Sequence, residues 1–440
     1  MEPRRWYAVS IPVVTVGEDR DLVGGLERLH GPVTVVRRCA ELPELLAACQ
    51  SGLARAAVVA EGTEGLTASL VDRLGAVGVA IIALTDSPEE AARLRGIGVA
   101  SALTGIESAE LSVRIAESVE HLTGQAGGSA SSMADTGASL NTVPADPDND
   151  PEGPGPGRII VLWGPAGSPG RTTLAVNVAG ELAADGNDVI LVDADSYGAS
   201  VAAVLGLLDE SAGLAQACRL ADQGILDSAA LARVAAPVAT AHGTVRVLTG
   251  ITRADRWTEL RAPALAMVLE RARQDADVVV VDAGFCLESD EELSFDTMAP
   301  RRNAATLRSL ELADTVFAVG AADPVGVPRL VRGLAELEAT VPQASPVVVM
   351  NKVRASAVGR GPERQLRDAW DRYGPASSIH AFLPFDGAAA DSALLGGSLL
   401  LECAPESELR HAIRNLVCAP AQQTRKSSVF SSTAGRRAKG

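Results

Sequence analysis

At 440 residues the chain is too long for one typical domain, and two domains with connecting sequence are expected. It is 47% hydrophobic and 21% charged, enough to bury a sizeable core, while a net charge of −16 argues against a surface that grips nucleic acid through its phosphates. No apolar run approaches the roughly 18–20 residues of a membrane span, no cleavage signal follows the N-terminus, and Cys39, Cys49, Cys218, Cys286, Cys403 and Cys418 form no C-x-x-C pair, so a cytoplasmic protein with reduced thiols and no zinc or iron–sulfur site is expected.

Short apolar strands are expected at residues 11–16, 33–36, 56–60 and 79–84, alternating with helical periodicity over 21–29, 42–50, 67–74 and 88–95. Such alternation predicts a small doubly wound α/β unit. Over most of residues 10–122 this portion resembles a response-regulator receiver domain. Glu18 and Asp19 stand where a receiver has its acidic pair, and Thr85 stands at its hydroxyl position. The phosphoacceptor region reads Ala60-Glu61, without the aspartate, and Thr104-Gly105-Ile106 replaces the lysine–proline after the fifth strand. The resemblance therefore implies a degenerate receiver, a docking domain that takes no phosphate.

Residues 124–157 are rich in Gly, Pro, Ser and Asp and read as a solvated linker. The expected organisation is thus residues 1–123, the linker 124–157, a nucleotide-binding domain 158–421 and a basic, disordered tail 422–440. That tail carries five basic and no acidic residues, but only Val429 and Phe430 as large apolar ones, too few for more than weak contact with a membrane.

After the linker, an apolar strand at 158–163 runs into GPAGSPGRTT at 164–173 and then into helical sequence. Strand, glycine-rich turn and helix in this order predict a phosphate loop, because glycines let backbone N–H groups turn inward and the helix start adds positive potential. Thr172 occupies the position of a magnesium-binding hydroxyl. Further apolar strands end in Asp193-Ala-Asp195, in Asp282 and in Asn351-Lys352, the second having the form of a Walker B strand. Asn351-Lys352 lacks the carboxylate that reads guanine, since residue 354 is arginine.

Residues 158–418 resemble the ParA/MinD superfamily of P-loop ATPases, and most closely its CpaE-like and septum-site-determining branch, in which a degenerate receiver precedes the ATPase. The resemblance rests on the loop, Asp193 and Asp195, Asp282, Asn351, Pro384-Phe385-Asp386 and Pro405-Glu406-Ser407. It implies a mostly parallel sheet flanked by helices, and it implies ATP and Mg2+ as ligands. Gly167, Gly170, Arg171, Thr172 and Thr173 would hold phosphates, and Thr172 and Asp282 the metal. Asn351 and the backbone near Pro384 would line adenine, while Asp195 would position water or metal. Two positions depart from the family. Ala166 replaces the lysine that reaches a partner's nucleotide, and Arg171 replaces the lysine at the β- and γ-phosphates. A planar guanidinium does not reproduce a compact ammonium, and the only lysine before the tail is Lys352. The expectation is an ATP-binding regulator with slow or no hydrolysis, dimerising or docking on a pilus, secretion or division protein. A non-catalytic scaffold is the alternative, and a DNA-partitioning ATPase is disfavoured by charge.

Overall fold

The structure is a computed structural model that describes residues 10–17, 20–29, 31–60, 62–126, 155–207, 212–288 and 300–418. Glu18, Asp19, Glu61, most of the linker and the tail lie outside the described residues.

The N-terminal unit runs β1 (Ile11–Val16), α1 (Arg20–Arg28), β2 (Val33–Cys39), α2 (Leu42–Gln50), β3 (Ala56–Val59), α3 (Ala68–Ala76), β4 (Ala80–Leu84), α4 (Pro88–Gly96), β5 (Ala100–Ala102) and α5 (Ser108–Ala126). Hydroxyls start two of these helices: Thr67 accepts from Leu70 N at 3.3 Å and Ser87 from Glu90 N at 3.2 Å. All five strands are parallel in the order β2-β1-β3-β4-β5, that of a doubly wound sheet. Leu45, Leu74 and Leu94 bring α2, α3 and α4 onto one face, and Leu26, Leu111 and Ile115 bring α1 and α5 onto the other. The short β5 and the long α5 extend the unit beyond the elements expected from periodicity. At its carboxyl edge Thr85 caps Ser87 N at 3.2 Å, and Thr104 binds Asp86 through both its main chain and its hydroxyl.

The second unit contains β6 (Arg158–Trp163), α6 (Arg171–Ala184), β7 (Val189–Ala194), α7 (Val201–Val204), α8 (Gly213–Asp222), α9 (Ser228–Val234), β8 (Ala236–Thr240) and β9 (Gly243–Leu248). It continues with α10 (Ala262–Gln274), β10 (Val278–Ala283), α11 (Ala304–Glu311), β11 (Thr315–Ala321), α12 (Gly326–Thr340) and β12 (Pro346–Val353). Then come α13 (Ala355–Val358), α14 (Pro362–Tyr373), β13 (Ile379–Pro384), α15 (Gly387–Gly396), α16 (Leu400–Cys403) and α17 (Glu408–Val417). The eight-stranded sheet has the order β13-β12-β11-β6-β10-β7-β9-β8, parallel except for the β8–β9 hairpin. Its central strands are apolar throughout because helices cover both faces. Ile159, Val161 and Trp163 meet α8, α10 and α12 on one side, whereas Ile160 and Leu162 meet α6, α16 and α17 on the other. From β6 the chain crosses to β7 on one flank, and from β10 to β11 on the opposite flank. Ligands of open α/β sheets bind at such a switch, beyond the strands' carboxyl ends.

The units touch through α3 and α4 on one side and α8 and α10 on the other. Ser69 N at the start of α3 donates to Asp222 Oδ1 at 2.8 Å. Arg93 donates to Gln223 O at 2.9 Å while gripping Thr63 O, Leu66 O and Glu90 in its own unit. Met267 of α10 packs against the cores of both units.

Among the described residues no helix is long and apolar enough to cross a membrane. Cys39, Cys49 and Cys218 are buried, and no described cysteine is in a disulfide.

A buried ion pair ties α6 to the last described helix. Arg410 of α17 donates to Glu181 of α6 at 2.5 and 3.0 Å, and both side chains are at most 10% exposed. Removing one partner strands the other charge, so Arg410→Met alone is expected to cost about 3–5 kcal/mol in urea unfolding, whereas Arg410→Met with Glu181→Leu recovers most of it.

Candidate functional site

The site residues expected from the sequence fall at the carboxyl edge of the large sheet, with Arg171, Thr172 and Thr173 in the first turn of α6. The loop between β6 and α6 turns through Gly167 (φ 114°), Ser168 (φ 53°) and Gly170 (φ 96°). Gly164 lies against β11, where an added Cβ would sit 2.2 Å from Val319 O, so no side chain fits there. Helix α6 then begins at Arg171, with its N-terminus directed at the loop.

Thr172 Oγ1 donates to Asp282 Oδ2 at 2.6 Å and lies 3.3 Å from Ser200 Oγ. Asp282 ends β10 in register with Asp193 on the adjacent parallel β7, so two buried carboxyls face the same side of neighbouring strands. Asp193 accepts from Val201 N at 2.9 Å and from Asp195 N at 3.3 Å. Burial, followed by the charge of Asp282, pushes Asp193 up to about 8. Burial also pushes Asp282 up to about 7, against the opposing pull of the Thr172 hydrogen bond and of Arg171. Asp282 Oδ1 is buried and has no hydrogen-bond partner.

Arg171 does not project freely into the loop. Its guanidinium donates to Gly164 O at 2.7 Å and to Asp195 Oδ2 at 3.1 Å, with the two side chains only 13% and 9% exposed. Asp195 also accepts from Tyr197 N and Gly198 N at 2.9 and 3.1 Å. The phosphate-side cation and the residue expected to position water are thus tied to each other.

Asn351, at the end of β12, is buried; its amide donates to Pro169 O at 2.8 Å and its carbonyl accepts from Lys352 N at 2.8 Å. Its polar atoms therefore brace the loop and the adjoining turn. Pro384 ends β13 opposite Val353, and Phe385 N donates to Val353 O at 3.0 Å, which sets Pro384 on the same rim. Asp386 caps α15 and accepts from Ser407 Oγ at 2.8 Å, joining the two proline-containing motifs. Thr173 is placed within α6, and its carbonyl accepts from Asn177 at 2.8 Å.

Three further side chains near the site, two of them touching the loop, carry no sequence signal of their own. Lys352 Nζ donates to Ser168 O at 2.8 Å, so a lysine reaches the loop from 184 positions away in sequence. Arg329 Nη1, from α12, reaches Ala166 O at 3.4 Å. Thr306 Oγ1 of α11 is buried without a partner beside Gly284, whose added Cβ would lie 2.7 Å from it. Only the adjacency of Lys352 to Asn351 is visible in the sequence.

The residues fit a hydrated Mg2+. A hydroxyl and one carboxylate with an unpartnered buried oxygen form the hard oxygen donor set that Mg2+ completes with water and phosphate. Among the described residues no cluster of three or more His, Cys, Asp or Glu forms an all-protein metal cage.

No protein-family model and no curated protein matches the sequence. In overall arrangement the chain is similar to the cell division ATPase MinD of Pyrococcus furiosus, at 19% identity over 59% of this chain and 97% of that one, with a TM-score of 0.45. It is also similar to the septum site-determining protein MinD complexed with Mg-ADP from Pyrococcus horikoshii OT3 (18% identity, 59% of this chain, 94% of that one, TM-score 0.44). A ParA family ATPase from Chlorobium tepidum TLS gives 17% identity over 60% of this chain and 99% of that one, with a TM-score of 0.49. The α/β P-loop NTPase architecture is carried here by the parallel sheet, the glycine loop between β6 and α6, and the Thr172–Asp282 contact.

A carboxyl whose folded pKa lies above its unfolded value stabilises the fold at low pH, and that contribution is lost as pH rises through the folded pKa. With Asp282 raised from 3.8 to about 7 and Asp193 from 3.8 to about 8, the ligand-free protein is expected to lose stability as pH rises from about 4 to about 8 and to level off above that, by at most about 1.4 kcal/mol per pH unit for each group. Urea midpoints across that range check this; a flat profile contradicts it.

Proposed function

We propose that the protein is a ParA/MinD-like regulator that binds ATP with Mg2+ and hydrolyses it slowly or not at all. The observation that carries the reading is the 2.6 Å contact of Thr172 with Asp282, whose second oxygen is buried without a partner. Thr172 and Asp282 would hold the metal, which supplies positive charge against the phosphates when bound. The inward N–H groups of the loop and the α6 N-terminus bind phosphate oxygens. Asn351 fixes the loop through Pro169 and, with the segment at Pro384, forms the rim toward the base. Arg354 stands where a guanine reader needs a carboxylate, which favours ATP over GTP.

Slow turnover follows from the Arg171–Asp195 pair. Phosphoryl transfer depends on charge placed against the transferring group and on an oriented nucleophile. Here the groups suited to those two tasks neutralise each other at 3.1 Å. The same pair favours the second reading, a scaffold that binds nucleotide without turning it over. On the motif resemblance, the cellular role we propose is positioning of cell-envelope machinery, in Tad-type pilus or secretion assembly or in septum-site determination. The protein would act as a nucleotide-dependent homodimer or by docking on a partner, with the N-terminal unit a docking domain that takes no phosphate.

Calorimetry is expected to show Mg-ATP binding preferred over GTP, with Asp282→Ala removing the magnesium dependence. Lysine at 171 lacks the two-nitrogen fork with which Arg171 spans Gly164 and Asp195, so Arg171→Lys is expected to raise steady-state phosphate release about tenfold, or about 1.4 kcal/mol of barrier. A wild-type rate equal to that of Arg171→Lys would show that the pair is no brake. Treatment with acetyl phosphate is expected to leave the mass of the N-terminal unit unchanged; an added phosphoryl group would overturn its assignment as a docking domain.

A further inference from the structure

The loop lies beneath two cations whose positions nothing in its own motif explains. Arg329 is exposed on α12, and its single bond to the loop, to Ala166 O, is long at 3.4 Å. Lys352 reaches Ser168 O from the end of β12. Neither forms an ion pair among the described residues, in contrast to Arg171, which is engaged by Asp195. A guanidinium has five N–H donors and an ammonium three, so most donors on both groups remain for a ligand. The chain has 55 acidic and 39 basic side chains excluding histidine, so three cations around one short loop run against its overall balance.

The backbone is strained in favour of this arrangement. Among the described residues only Ser168 and Lys352 are non-glycine residues with positive φ, at 53° and 60°, and they touch each other. That region disfavours side chains, and such strain persists where the surroundings hold it for a purpose. The loop glycines make the room. An added Cβ on Gly167 would sit 2.5 Å from Arg329 Nη1, and one on Gly170 would sit 2.5 Å from the Asn351 amide and 3.8 Å from Lys352 Cε.

We propose that Arg329 and Lys352 form a phosphate-binding collar over the loop that selects a triphosphate over shorter phosphates. They supply from outside the motif the charge that Ala166 lacks and that Arg171 spends on Asp195. The collar deepens the nucleotide reading above and rests on it for the identity of the natural ligand.

The test titrates the full chain, wild type and the variants Arg329→Gln, Arg329→Lys and Lys352→Gly, with Mg-ATP, Mg-ADP and inorganic tripolyphosphate by calorimetry. Arg329→Gln and Lys352→Gly are each expected to weaken ATP and tripolyphosphate by about tenfold, the loss of one charged hydrogen bond, and to lower the ratio of ATP to ADP affinity. Arg329→Lys keeps most of the affinity. Lys352→Gly removes the ammonium while glycine accepts the positive φ, and its melting temperature, measured beside wild type, separates a loss of binding from a loss of fold. Variants that bind ATP and tripolyphosphate as wild type does would remove the collar and leave the nucleotide reading standing. Wild type that binds tripolyphosphate through these residues but no nucleotide would do the reverse. Binding of neither ligand defeats both.

Discussion

Three carboxylates brought together at one edge of a parallel sheet set the terms for the rest of the site. Asp193 and Asp282 are paired by strand register and buried, and Asp195 follows two residues after Asp193. Unopposed, such a cluster is costly in a low-dielectric interior. The structure answers with a few specific groups: the Thr172 hydroxyl on Asp282, the Val201 and Asp195 N–H groups on Asp193, and the Arg171 guanidinium on Asp195. What these leave over is one oxygen of Asp282, and a divalent cation matches that remainder.

The path of the loop is set by other elements that press on it. Val319 leaves no room beyond hydrogen at Gly164, Asn351 holds Pro169, and Arg329 and Lys352 hold Ala166 and Ser168. The sheet order makes this possible, since β11 lies directly beside β6 and β12 beside β11, although both come far later in the chain. Behind the loop, α6 is anchored to α17 by the Glu181–Arg410 pair, which links the loop to the last described helix.

Helix α11 touches two regions at once. Near its start, Thr306 faces Gly284 beyond Asp282, and Asn303 accepts from Tyr197 in the segment after Asp195 at 2.9 Å. Further along, Arg308 lies near enough to Asp72 of α3 to oppose the upward push that burial gives its carboxyl. A single short helix therefore spans from the carboxylate cluster to the contact between the two units.

The elements themselves were legible in sequence because their signals are local. Buried parallel strands read as apolar runs, as in β6, β7, β10 and β12, and the glycine loop is recognisable from its position between strand and helix. Strand β5 escaped because Ala100–Ala102 is only three residues long, and β13 because its partly exposed residues give no clean period. The carboxylates, Thr172 and Asn351 were found because each sits at a fixed offset from a strand end or a turn. Only the tertiary structure decided which groups engage which. Whether Arg171 faces phosphate or Asp195, and whether Lys352 or Arg329 reaches the loop, depends on strand order and helix packing that bring together residues far apart in the chain. Sequence determined the chemistry available at the sheet edge; the distances across that edge are a property of the fold.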